Sequence, residues 1–375
     1  MPRPPKLADQ AEYPMATIDI LMPAYNAAAT IEAAVESLRA QTVSDFRIII
    51  IDDGSTDETP AILARLAALD PRLVVIRKEN AGIVEARNTA LSHAEAEFIA
   101  CLDADDISLP NRLELTLNYL RAHPECIAVG GRVQHIDETG KPLPGVDQPA
   151  DPEGARVDTI PARDPYIIHS TLMTRRAEVE AVGRYRHVPY SEDTDLFWRL
   201  GERGRLVILP EILTLYRVHT ASVSSTLHNG RVMAVGCQLG ARSAARRRAG
   251  RPDIAFSKAA YETLKKQPGL EQMVASVSVN FDEADEKHFR MAVAVKLMEM
   301  TRMRPFEPDR ADCAYIRDAW QYAGRLDTEN RNQFSWYLTV TAARLIRVGR
   351  LGDALALLPP RFLPIAFARF VKGQG

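Results

Sequence analysis

Three aspartates stand within four positions in the stretch FIACLDADDISLPNR. They follow an apolar run over 98–102 with the composition of a buried strand, so Asp103 and Asp105 leave a strand end pointing the same way. Like charges so placed repel unless a proton or a cation lies between them. A hard divalent cation such as Mg2+ or Mn2+, bound by one or two carboxylates and by substrate phosphates, fits the pattern. So does a helix N-cap at Asp106, since acids favour that end of a helix.

A second acidic pair precedes a turn in IIIIDDGSTDETPAIL. Gly54 and Ser55 make the turn, and Ser55 or Thr56 can cap the following helix. Capping does not explain Asp52 and Asp53, which are placed to accept hydrogen bonds from a ribose hydroxyl or a base N–H. Further on, Glu192 and Asp193 open a helix in SEDTDLFWRL, where simple helix-terminal acidity is the alternative reading. Arg87 lies in a helix whose start is marked by Asn80-Ala81-Gly82, and it reads as a partner of phosphate, a partner of Asp53, or a surface side chain. Arg217 and His219 alternate along a strand or its end and so face one way. His93 and His169 have no ligand spacing and read as structural.

The elements that carry these residues alternate. Strands are expected over 17–22, 46–51, 73–77 and 98–102, with helices over 30–40, 60–68 and 83–91 between them. Continuous apolar strands separated by short helices indicate βαβ units and a mostly parallel sheet covered on both faces. Ligands of such sheets bind beyond the carboxyl ends of the strands, which is where Pro23, Ala24, Tyr25, Asp52, Asp53, Asp103 and Asp105 fall. No GxGxxG follows the first strand and there is no GxxxxGK[ST] loop, so phosphates must be handled by metal, Arg or helix termini. Beyond a helix over 111–122 and a strand over 127–129, residues 137–165 are rich in Pro, Asp and Gly and read as a long surface loop or lid. Two short strands are expected over 206–209 and 213–216.

From about Thr226 the pattern becomes helix after helix, expected over 231–248, 253–266, 283–303, 310–322, 329–348 and 351–358. A loose leader over 1–16, a catalytic domain over 17–225 and a basic helical domain over 226–375 are therefore expected. Charge divides the same way: residues 1–229 carry 23 Lys and Arg against 34 Asp and Glu, and residues 230–375 carry 24 against 15, although the whole chain of 375 residues is only -2. A composition of 46% hydrophobic and 26% charged residues excludes a disordered or collagen-like chain. Cys101, Cys126, Cys237 and Cys313 form no CxxC pair and read as free thiols in a reducing compartment. No apolar run reaches the ~18–20 residues needed to span a bilayer, so a cytoplasmic location is expected, with contact at the inner face of the cytoplasmic membrane left open.

Taken in order, PAYN, IDDGSTDET, ENAGIVEARNTAL, LDADD, SEDTDLFWRL and YRVHTASVS resemble the family 2 glycosyltransferases of the GT-A fold, over roughly residues 17–225. The resemblance implies an α/β, Rossmann-like domain that moves a sugar from a nucleoside diphosphate sugar, UDP-sugars first among the donors, to an acceptor hydroxyl with inversion. By the same match Pro23, Ala24, Tyr25, Asp53 and Arg87 line the nucleotide pocket, Asp103 and Asp105 form the DxD motif, and Asp105 and His219 approach the metal. Asp193 matches the position of the catalytic base and Glu192 an acceptor or orienting contact. A carboxylate opposite the leaving diphosphate suits in-line attack, since it can accept the proton of the attacking hydroxyl. The pathway implied is assembly of a cell-surface polysaccharide or glycoconjugate, with a glycan or lipid-linked acceptor. A retaining transferase on the same fold and a non-catalytic sugar-nucleotide-binding scaffold are the competing readings.

The resemblance does not cover the helical tail. Arg242 to Arg248 and the end PPRFLPIAFARFVKG mix cationic and apolar residues, as a peripheral membrane helix does. Packing against the catalytic domain or a second copy is the favoured alternative. Nucleic acid is not expected as a partner, because the basic residues come with no stacking platform.

Overall fold

A computed structural model of the chain describes residues 16–218 and 225–373. These fall into two compact units interleaved in sequence: 16–149, 167–184 and 203–217 form one, and 150–166, 185–202 and the chain beyond 217 form the other.

The first unit is built on a nine-stranded sheet. Its strands are β1 (Ile18–Ala24), β2 (Phe46–Asp52), β3 (Leu73–Arg77), β4 (Phe98–Cys101), β5 (Ile107–Ser108), β6 (Cys126–Ile136), β7 (Pro142–Asp147), β8 (Met173–Arg175) and β9 (Arg205–Arg217). They run in the order β3-β2-β1-β4-β8-β6-β9-β5, with β7 added to β6. The half from β3 to β4 is parallel throughout, as its unbroken apolar runs require. Beyond it β8 lies antiparallel to β4 and β6, while β6 and β9 pair in parallel. Helices α1 (Ile31–Arg39), α2 (Thr59–Leu69), α3 (Ile83–His93), α4 (Arg112–Ala122) and α5 (Arg176–Ala181) belong to this unit. α1 turns Ile31, Ala34, Val35 and Leu38 inward, the i, i+3, i+4, i+7 stripe of an amphipathic helix, onto a core that includes Ile20, Met22, Ile48 and Ile50.

The second unit is helical: α6 (Glu192–Gly201), α7 (Leu227–Arg248), α8 (Lys258–Lys265), α9 (Leu270–Val277), α10 (Glu283–Met300), α11 (Arg310–Trp320), α12 (Thr328–Arg347), α13 (Leu351–Leu357) and α14 (Leu363–Val371). Its core gathers Val235 and Leu239 of α7, Val293 and Leu297 of α10, and Phe334 and Leu338 of α12. α7 passes the segment before α6 so closely that a Cβ at Gly236 would lie 1.9 Å from the Pro189 carbonyl oxygen.

Three expectations change. Residues 137–165 are not one surface loop: β7 extends the sheet, and Ile160 and Ala162 are buried in the helical unit. The two short strands near the end of the sheet are one 13-residue strand, β9, whose apolar alternation is broken by register shifts against β6. α9 and α14, both eight or nine residues long, were not resolved from the Pro- and Gly-containing breaks around them.

Candidate functional site

β1, β2 and β4 deliver their carboxyl ends side by side, and the sequence order of the strands reverses at β1, with β2 on one side and β4 on the other, the place where α/β sheets bind ligands. Pro23 and Ala24 close β1, and Tyr25 just beyond it is half exposed at 53%. Asn26 adopts a left-handed backbone, φ 50°. Its N–H donates to Ser55 Oγ at 2.9 Å and its Oδ1 accepts from the Thr56 N–H at 2.8 Å, so the loops after β1 and β2 are stitched together. Gly54 is obligatory in that stitch: φ is +79° and a Cβ would sit 2.7 Å from the Asn80 nitrogen.

The two aspartates of the second loop have different tasks. Asp52 is buried, accepts from the Ser55 N–H at 2.9 Å and pairs with Arg77 at 3.3 Å, which makes it the turn former. Asp53 accepts from Lys78 Nζ at 2.6 Å and from the N–H groups of Ala81 at 3.1 Å and Gly82 at 2.8 Å. It fixes the approach to α3, whose fifth residue is Arg87.

Arg87 reaches Asp103, at 3.4 Å from Oδ1. Ser170, in the short helical turn His169–Thr171, donates to Asp103 Oδ2 at 3.1 Å. Asp103 keeps 31% of its side chain exposed, and Asp105 is also partly exposed. Asp106 is buried, and burial, followed by the charges of Asp105 and Asp103, pushes its carboxyl well above the usual range, with Ser170 and the Arg217 N–H offsetting part of that. Beneath them Arg112 is fully enclosed; it donates to the Cys101 carbonyl and to Ser108 Oγ at 3.5 Å, and burial lowers it to about 10 against the pull of Asp106 and Asp103. Arg217 donates to the carbonyl oxygens of Asp105 at 2.8 Å, Asp137 at 2.9 Å and Glu138 at 3.0 Å, so it braces the loop backbone.

A hard divalent cation suits this donor set. Asp103 and Asp105 offer partly exposed carboxylate oxygens beside the buried Asp106. Among the described residues no three His, Cys, Asp or Glu side chains are grouped as a complete metal cage. A cation here would rest on one or two carboxylates and complete its shell with phosphate and water, as Mg2+ commonly does.

Glu192 and Asp193 belong to the helical unit, in the first turn of α6. Asp195, in the same turn, is wholly buried between Arg186 at 2.9 Å and Arg199 at 2.8 Å. Asp193 is partly exposed, with Oδ1 accepting from the Thr194 N–H at 2.6 Å, and Glu192 is 7% exposed. His219 lies outside the described residues.

The sheet unit thus gathers Pro23, Ala24, Tyr25, Asp53, Arg87, Asp103 and Asp105 at one rim. Reading the sequence missed Lys78, Ser170 and Arg112. The strand-end rule applied to β3 would have marked Lys78, the first residue after Arg77; nothing local distinguishes Ser170.

The chain thus has an open, mostly parallel α/β sheet with acids at neighbouring strand ends. Residues 19–183 match the family model described as glycosyl transferase family 2. The amylovoran biosynthesis glycosyltransferase AmsE of Erwinia amylovora is 32% identical over 202 residues, 52% of this chain and 73% of that protein. Two solved structures share the fold: TarS 1-349 of S. aureus in complex with UDP-GlcNAc (TM-score 0.51, 15% identity, 96% of this chain and 92% of that one), and the mannosyltransferase PcManGT of Pyrobaculum calidifontis in complex with GDP-Man and Mn2+ (TM-score 0.53, 17% identity, 100% and 92%). The chain belongs to glycosyl transferase family 2, has the GT-A fold and is a glycosyltransferase.

Proposed function

We propose that the protein transfers a sugar from a nucleoside diphosphate sugar, a UDP-sugar first, to an acceptor hydroxyl with inversion, in the assembly of a cell-surface polysaccharide or glycoconjugate. The observation that carries the reading is the rim at β4: Asp103 held by Arg87 and Ser170, with Asp105 and the buried Asp106 beside it. The names of AmsE, which concerns amylovoran biosynthesis, and of TarS and PcManGT, which appear with UDP-GlcNAc and with GDP-Man and Mn2+, support the pathway and the donor class.

In this reading Pro23, Ala24 and Tyr25 border the base, Asp53 shapes the nucleoside pocket, and Arg87 positions Asp103 towards the ribose. Asp105, joined by His219, would hold Mn2+ or Mg2+, which when bound offsets charge on the leaving diphosphate. Asp193 accepts the proton of the acceptor hydroxyl, and Glu192 orients the acceptor. The four buried free cysteines agree with a reducing, cytoplasmic setting.

Purified protein with Mn2+ and a panel of UDP-, GDP- and dTDP-sugars tests the reading. Transfer or slow donor hydrolysis is expected with one of them, and silence with every donor overturns it. Product analysis by NMR decides inversion. Asp193→Asn should keep donor binding and lose on the order of 10²–10⁴ in turnover, the range of a general base. Asp105→Ala should abolish the Mn2+-dependent part of donor binding seen by calorimetry.

A further inference from the structure

The two stretches of the tail that mix cationic and apolar residues have different fates in the fold. The arginines closing α7 are engaged within the helical unit: Arg242 and Arg246 with Asp285, Arg247 with Glu202 at 2.8 Å and Asp253 at 2.9 Å, and Arg248 over the Trp198 ring. The stretch after α12 is arranged in the opposite way. Among the described residues fourteen large hydrophobic side chains are exposed, and seven of them lie between Val348 and Val371.

Their spacing is that of helical faces. Leu351 and Leu355 stand one turn apart on the outer side of α13, and Leu363, Phe367 and Val371 form an i, i+4, i+8 stripe along α14 that is 36%, 60% and 67% exposed. The inner faces are apolar as well, with Ala354, Leu357 and Ala366 buried in the helical core. A surface helix of a water-soluble unit turns polar residues outward; α14 does not. From Ala354 onward the sequence has no acidic residue, and its charges are Arg361, Arg369 and Lys372.

We propose that α13 and α14 form a docking surface for an anionic lipid bilayer, with Leu355, Leu363, Phe367 and Val371 entering the headgroup boundary and Arg361 and Lys372 meeting lipid phosphates. In this proposal the helices lie on the membrane: no single helix among the described residues is long and apolar enough to span, and α13 with the segment after it, apolar enough together, is bent by 118°, which suits a surface better than a straight crossing. Interfacial helices bury apolar faces in this way and draw further binding from anionic lipid. A second copy of the chain fits less well, because a symmetric contact would set the cations of one copy against those of the other. The proposal stands independently of the donor and base assignments.

Co-sedimentation of the full chain with phosphatidylcholine vesicles, with and without phosphatidylglycerol, tests it. Two cations near an anionic surface give a preference for the anionic vesicles of about twenty-five-fold at low salt, roughly fivefold per cation, and high salt should erase it. The paired variant Phe367→Asn/Val371→Asn should lose about tenfold or more in vesicle binding while keeping the wild-type melting temperature and donor hydrolysis. Arg361→Gln/Lys372→Gln should abolish most of the lipid preference. Absence of vesicle binding, equal binding to both vesicles, or binding untouched by the apolar pair overturns the proposal. So does a concentration-dependent dimer, seen by sedimentation velocity without lipid and dissolved by that pair.

Discussion

A carboxylate at a strand end either builds the turn it sits in or stays available to a ligand, and Asp52, Asp53 and Asp103 divide these tasks. Asp52 has its oxygens on Ser55 and Arg77, and Asp53 has three donors, one of them the ammonium of Lys78. Lys78→Met should therefore destabilise the chain by about 1.5–3 kcal/mol, the worth of a hydrogen bond to a charged group. Adding Asp53→Asn should recover part of that in the denaturant midpoint; no loss in the single variant would show that Lys78 is dispensable. Two histidines, His169 buried and His288 partly buried, predict a pH dependence. Burial first, then the charges of Arg87 and Arg112, hold His169 well below its usual pKa, and burial with Arg242 lowers His288. A depressed histidine takes up its proton on unfolding, so stability is full above about pH 6.5 and falls as the pH drops below it, by at most ~1.4 kcal/mol per pH unit for each histidine. His169→Gln/His288→Gln should flatten the decline of melting temperature between pH 6.5 and 5 relative to the wild type.

α6 shows how a helix with acids at its start is held by its other end. Trp198 Nε1 donates to Asp164 Oδ1 at 3.1 Å, and Lys296 of α10 pairs with Asp164 at 3.2 Å and with Glu299 at 2.9 Å. Burial lowers the Lys296 ammonium, but Asp164 and Glu299 outweigh it and raise the group well above the usual range. Lys296→Met leaves the nearly buried Asp164 carboxylate without its cation, and breaking such a pair costs about 3–5 kcal/mol. The melting temperature should fall accordingly, and Lys296→Met/Asp164→Asn should melt higher than the single variant. None of this was legible beforehand, because a lysine in α10 and an aspartate in the Pro-rich stretch over 137–165 carry no local sign that they meet. The parallel half of the sheet was legible, since FRIIII and FIACL can be nothing but strands buried on both faces. The acids at its rim were legible too, because strand ends are predictable from such runs. Arg87 was visible as a residue but not as a partner of Asp103, because the pairing joins a helix to the end of a different strand and Asp53 meanwhile pairs with Lys78.

The interleaving of the two units bears on the whole molecule. A change from alternating to all-helical sequence near residue 226 suggests a catalytic piece that ends at 225 and could be cut there. The contacts of 150–166 and 185–202 say otherwise, for both segments pack within the helical unit. Ile160 lies in one core with Val235 and Phe289, Ala162 and Trp198 with Ala241 and Ala244, and the Ile160 N–H donates to Asn330 Oδ1 at 2.8 Å. A chain truncated after residue 225 would strip the cover from Ile160 and Trp198, each a loss of about 3–5 kcal/mol by comparison with deleting a large core side chain. It would also leave Asp164 without Lys296. Those losses rival the 5–15 kcal/mol that keeps a typical protein folded. The truncated chain should therefore fail to give a cooperative thermal transition, bind a hydrophobic dye at 25 °C, and be cleaved by protease first within 150–166 and 185–202. A truncated chain that melts cooperatively and resists cleavage in those segments would show that the sheet unit can fold with them uncovered, and that the helical unit is an addition to the catalytic fold and no part of its support.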